Sequence, residues 1–141
     1  MKKILIIILC AVSIGGGAAY YLFNKIVVNE ESNIKTVNAF QIGAFTNYDN
    51  ALKVATRNNG IVVNDDDIYR VYVAILSDQE AISKLKSYYK EIGLEYYLKE
   101  IDVKDDYVKS IGQEEELLKR SSSDTYVTIN YQMLQKYEEL L

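Results

Sequence analysis

Any covalent chemistry in this chain would have to rest on carboxylates. The sequence holds 20 Asp and Glu, one cysteine and no histidine. That removes the imidazole general base, the usual serine and cysteine triads and histidine-ligated metals. A lone Cys10 also excludes an internal disulfide and any multi-cysteine metal site. Two acidic runs remain. Asp65-Asp66-Asp67 lacks the glycine and the distant glutamate of a calcium loop and reads as a solvated turn. Glu114-Glu115-Glu116 reads as a solvated helix face. Nothing marks one acid as buried beside another, as glycoside cleavage would require. No catalytic residue, metal site or cofactor is expected, and the chain is read as a non-enzyme.

Charge narrows the partners. Three lysines precede residue 29, where there is no acid, so thirteen of the 16 basic residues face all 20 acids beyond it, a net of −7. An acidic domain is poorly suited to nucleic-acid phosphates or anionic headgroups, so no nucleic-acid partner is expected.

From Ile4 to Phe23 runs a stretch of twenty uncharged residues, the length needed to cross roughly 30 Å of hydrocarbon as a helix. Lys2 and Lys3 precede it, which places the N-terminus in the cytoplasm and the rest outside the membrane. Gly17-Ala18-Ala19 would also serve as a signal-peptide cleavage site, and either reading exports the remainder. The uncleaved anchor is preferred because the apolar run continues past that site through Phe23. Residues 1–28 are thus an anchor and 29–36 a polar tether.

Beyond the tether the pattern repeats. Phe40–Phe45 alternates as a strand, Thr46-Asn47-Tyr48-Asp49 matches a capping box, and Ala51, Leu52 and Ala55 form an apolar helical stripe. Gly60 stops that helix before the short strand Ile61–Val63. Tyr69–Leu76 is a second alternating strand, Ser77–Glu80 a second capping box, and Ala81, Ile82, Leu85, Tyr89 and Ile92 a second stripe. Gly93 and the strand Leu94–Ile101 follow. Gly43 to Ala74, Phe45 to Leu76, Thr46 to Ser77 and Asp49 to Glu80 are all 31 residues apart. Two such halves can interleave into one four-stranded antiparallel sheet with both helices on one side, a ferredoxin-like βαββαβ arrangement in the α+β class. That layout leaves the other sheet face open. Residues 102–141 form a helical extension, with short helices and a loop to Ser123 and a last helix capped by Asp124 carrying Val127, Tyr131, Leu134 and Leu141 on one stripe. The last helix is expected to pack on the domain.

Residues 37–101 resemble the SPOR (sporulation-related repeat) domain. The resemblance lies in Gln41-Ile42-Gly43-Ala44-Phe45, like the family's Val-Gln-Val-Gly-Ser-Phe, in Asn50-Ala51, in Gly60 and in Tyr69-Arg70-Val71-Tyr72-Val73. Ala81 and Gly93 fit the second half, whereas Ala74-Ile75-Leu76 replaces the usual Gly-Pro-Phe. The resemblance implies an outward-facing module at the end of a single-span membrane protein that binds peptidoglycan glycan strands at division or sporulation septa. It carries Gln41, Tyr69 and Arg70 to the family's glycan face.

The residues themselves agree in part. A sugar presents hydroxyls, acetamido groups and flat apolar ring faces, which suit neutral amides and exposed aromatic platforms. Gln41 supplies a donor and an acceptor together. Alternation turns Tyr72 outward against Val71 and Val73, and Tyr97 outward against Tyr96 and Leu98. The same rule puts Tyr69 with the core valines, and Arg70 can equally pair with an acid such as Asp67. An envelope protein docked through the last helix is the competing partner.

Overall fold

The computed structural model describes residues 33–141, so the span expected over 4–23 lies outside the described residues. Ile34–Leu141 forms a compact unit with its own core. Among the described residues no helix is long and apolar enough to cross a membrane. The elements are β1 (Ile34–Phe45), α1 (Tyr48–Arg57), β2 (Ile61–Asp65), β3 (Ile68–Leu76), α2 (Gln79–Glu91), β4 (Tyr97–Lys104), α3 (Asp105–Arg120) and α4 (Tyr126–Glu138), with a short 3-10 turn over Ser123–Thr125. The unit is therefore α+β, and its strands form one antiparallel sheet in the order β2-β3-β1-β4.

The 31-residue offset is visible in space, because β1 ends at Phe45 and β3 at Leu76. Both following helices are capped one residue later than the first polar residue of each box. Asn47 accepts from the Asn50 N–H, and Asp78 accepts from the N–H groups of Glu80 and Ala81. Between β2 and β3 only Asp66 and Asp67 turn, at φ 48° and 65°. A two-residue hairpin needs positive φ at both positions, and aspartate tolerates it better than most side chains. Gly93, at φ 69°, ends α2 in the left-handed region.

Strand ends differ from the expected ones in a consistent way. β1 begins at Ile34, inside the stretch expected to be tether, because Ile34 to Phe40 find partners on β4 from Lys104 back to Leu98. The fourth strand starts at Tyr97 rather than Leu94 and runs to Lys104. In each case backbone pairing extends structure through residues too polar to register as a strand.

One face of the sheet carries α1 and α2. Phe40 packs edge-on against Tyr89 of α2 and against Tyr96, while Ile42, two residues on, joins the Ala51, Ala55 and Val71 cluster under α1. Leu52 and Ile92, expected in that core, are exposed at the outer edge of their helices.

The opposite face is not left open. Val37, Ala39 and Val103 point away from Phe40 by alternation and are nonetheless buried. They share a core with Tyr107, Ile111 and Leu118 of α3 and with Ile129, Met133 and Leu134 of α4, each at most 3% exposed. All six residues from Val71 to Leu76 are buried, which a strand covered on one side could not show. At about 1.5 to 3 kcal/mol per buried large apolar side chain, these six residues supply a hydrophobic term that offsets part of the entropy cost of ordering two helices. The C-terminal helices are a second layer of the fold and not an appendage.

The extension also differs in detail. Asp105 to Arg120 is one helix instead of short pieces, starting directly where β4 stops. In α4 the buried set is Tyr126, Ile129, Asn130, Met133 and Leu134, while Val127, Tyr131 and Leu141 are exposed, so the expected stripe was out of phase. Asp124 makes no cap to α4. Glu115 departs furthest from expectation. It is 6% exposed, and its carboxylate accepts from the Ser77 N–H at 2.5 Å, the Asp78 N–H at 2.9 Å and the Ser77 hydroxyl. The triplet is therefore split: Glu115 faces in, Glu114 pairs with Lys136, and Glu116 faces out toward Lys119.

Candidate functional site

Four strands bring a partly exposed polar group together on the second face, beside the part that α3 and α4 bury. Gln41 comes from the middle of β1, Asp65 from the last position of β2, Arg70 from β3, and Tyr97 with Lys99 from β4. Gln41 lies directly opposite Tyr97 on one side and Tyr72 on the other. That placement depends on two register slips. Between Phe40 and Gln41 the extra residue is Val73 of β3, and between Gln41 and Gly43 it is Ile42 of β1.

The contacts are specific. The Arg70 Nε donates to Asp65 Oδ2 at 2.5 Å, and the other arm of its guanidinium donates to Gln41 Oε1 at 3.3 Å. Lys99 Nζ donates to the same Asp65 oxygen at 2.9 Å. Lys99 and Arg70 together hold the Asp65 carboxyl below its ordinary range, Lys99 contributing most. One carboxylate thus organises two cations, and a neutral amide leans on one of them. Beside this group Tyr97 stands 66% exposed, its ring free to meet a flat apolar surface.

The five residues expected to bind separate into two groups. Gln41, Arg70 and Tyr97 converge as described. Tyr72 does not face solvent: it is 2% exposed, in the core to which Tyr137 of α4 is packed, and burial pushes its hydroxyl pKa up. Alternation correctly set Tyr72 on the side away from Val71, but the roof that covers it was not foreseen. Tyr69 belongs to the other face, half-buried in the α1 cluster with its ring edge-on to Tyr48 at 5.5 Å. The partner of Arg70 is Asp65 and not Asp67, because Asp67 sits in the turn at positive φ. Lys99 and Asp65 were not anticipated as members of the group. Lys99 was within reach of the sequence, since it is two residues from Tyr97 on the same strand and must share its face.

The described carboxyls that depart from their ordinary pKa, Asp65, Asp78 and Asp105, all depart downward, which keeps them ionised and unsuited to protonating a leaving group. Among the described residues no cluster of acids stands close enough to hold a metal ion.

Comparison with known proteins returns no match. No family model, no curated protein and no solved structure matches the chain.

Proposed function

We propose that the chain is a membrane-anchored, non-enzymatic module on the outer side of the cell membrane that binds peptidoglycan glycan strands. The observation that carries this reading is the convergence of Gln41, Arg70 and Tyr97 on the partly exposed part of one sheet face. An amide, two cationic donors balanced by Asp65, and an exposed aromatic ring are the groups that a sugar's hydroxyls, acetamido carbonyl and ring face call for. The SPOR resemblance of residues 37–101 and a strand order compatible with the ferredoxin-like arrangement support the same reading. The uncharged run from Ile4 to Phe23 supports anchoring, and Lys2 and Lys3 before it support a domain on the outer side; a role at division or sporulation is what the SPOR resemblance alone implies.

The contact surface is narrower than a whole sheet face, since the C-terminal layer withdraws Tyr72 from it. The ligand therefore lies across β1 and β4, with Tyr97 as its platform. Residues 29–141 should pellet with isolated cell-wall sacculi, and more so after amidase treatment. The pair Gln41→Ala and Tyr97→Ala should leave most of the protein in the supernatant. Wild-type protein that stays in solution overturns the reading.

A second reading, docking of another envelope protein, has its own observation. Tyr48 and Leu52 of α1 and Tyr131 of α4 are exposed along one cleft beside β2. Such apolar rims are the usual footing of a protein partner. Protein that ignores sacculi yet loses a cross-linked envelope partner on Leu52→Asp would favour it.

A further inference from the structure

A second, smaller cleft adjoins the one beside β2 and shares Asn59 with it. It has a volume of about 180 Å³ and lies between the end of α2, the turn from α1 into β2 and the first turn of α4. Its mouth carries Ile92 and Val127, 54% and 38% exposed, together with Arg57. Its inner wall is Tyr88, Tyr89 and Asn130. Asn130 is 3% exposed, and its side chain donates from Nδ2 to the Tyr89 hydroxyl at 3.2 Å. Its Oδ1 is buried and has no hydrogen-bond partner. A buried amide oxygen left unpaired costs about 1 to 3 kcal/mol, so native proteins rarely keep one without a use or a water.

We infer that this cleft is a binding site for a small neutral ligand that carries an amide N–H next to a methyl group, an acetamido-type group. The N–H would meet Asn130 Oδ1, the methyl would lie against Ile92 and Val127, and the carbonyl would face the Arg57 guanidinium. The polar floor and the apolar rim are two separate signals, and each alone is common. Together they fit a group that is half donor and half hydrocarbon. Oδ1 has almost no accessible surface as the side chains stand, so entry requires the exposed rim to shift outward. The inference does not rest on the sheet patch of Gln41 and Tyr97, which lies on different elements.

The test is a titration of isotopically labelled residues 29–141 with N-acetylglucosamine, followed by amide and side-chain NMR shifts, with glucose as the control. The Asn130 side-chain amide and the backbone of Val127 and Ile92 should shift saturably with N-acetylglucosamine and stay still with glucose. Asn130→Leu should weaken binding by about three- to tenfold, as expected for one lost hydrogen bond. If that variant does not fold, Val127→Trp, on the exposed rim, should block the mouth and abolish the shifts. Tyr97→Ala should leave them unchanged, which separates failure of this cleft from failure of the sheet patch. Absence of saturable shifts, equal shifts with glucose, or shifts that survive Val127→Trp would overturn the inference.

Discussion

Gln41 and Tyr72 face each other across β1 and β3, yet one is half-buried and hydrogen-bonded to Arg70 while the other is 2% exposed. The boundary between them is where the C-terminal layer stops. On one side of it the sheet is core, and on the other it is available surface. The functional reading of the whole chain turns on that line, and it separates substitutions that damage the fold from those that damage binding.

Tyr72→Ala should therefore behave as a core mutation. Truncating a fully buried aromatic side chain costs about 3 to 5 kcal/mol, and urea unfolding of residues 29–141 should register a loss of that order. Tyr97→Ala should move stability by no more than about 0.5 kcal/mol, since its ring is 66% exposed. Equal losses for the two would mean that the C-terminal layer does not cover Tyr72 in solution.

The Glu114-Glu115-Glu116 run should split sharply under mutation. Glu115→Ala leaves the N–H groups of Ser77 and Asp78 without their acceptor at the start of α2. Hydrogen bonds to a charged acceptor are worth about 1.5 to 3 kcal/mol, and a loss near the upper end is expected in chemical denaturation. Glu116→Ala removes only surface pairs with Lys119 and Arg120 and should cost less than about 1 kcal/mol.

Acid should loosen the sheet patch. The Asp65 carboxyl is held below its ordinary pKa by Lys99 and Arg70, so the folded state binds its proton less tightly than the unfolded one. A depressed carboxylate contributes stability that is fully present above the unfolded value, near pH 4, and is lost as pH falls through the lower folded value. Asp78, held down chiefly by the Ala81 N–H, acts in the same direction. Stability measured between pH 5 and pH 2 should fall less steeply in Asp65→Asn than in the wild type. An unchanged slope would show that the two cations do not hold Asp65 in solution.

Gly60 should resist substitution. A Cβ there would stand 2.6 Å from the Tyr72 carbonyl oxygen, a backbone atom that cannot turn aside. Gly60→Ala must push β2 from β3, and a loss of about 1 to 3 kcal/mol is expected from overpacking of this kind. A thermal melt within a degree of wild type would contradict the close approach.

Much of the layout is legible in the amino-acid sequence. The 31-residue offset, the two capping boxes and the alternating strands specify local structure through propensity and period alone, and α1, β2, β3, α2 and the end of β1 lie close to where those signals put them. Alternation also set Gln41 and Tyr97 on one face, because side-chain direction in a strand is a local property. What no local rule contains is the covering of that face. Whether Val37 and Ala39 meet water or Ile111 and Met133 depends on where a helix that starts at Asp105, far along the chain, comes to rest. A separation of 38 residues from Ser77 likewise hides Glu115, which looks like its neighbours along the chain and differs only in what lies across from it. Helix phase in α4 is not set by the sequence, for a related reason. Aromatic residues sit on several sides of that helix, and only packing against β3 and α3 selects which are buried. Periodicity fixes which way a side chain points relative to its own backbone, whereas tertiary packing alone decides what, if anything, it points at.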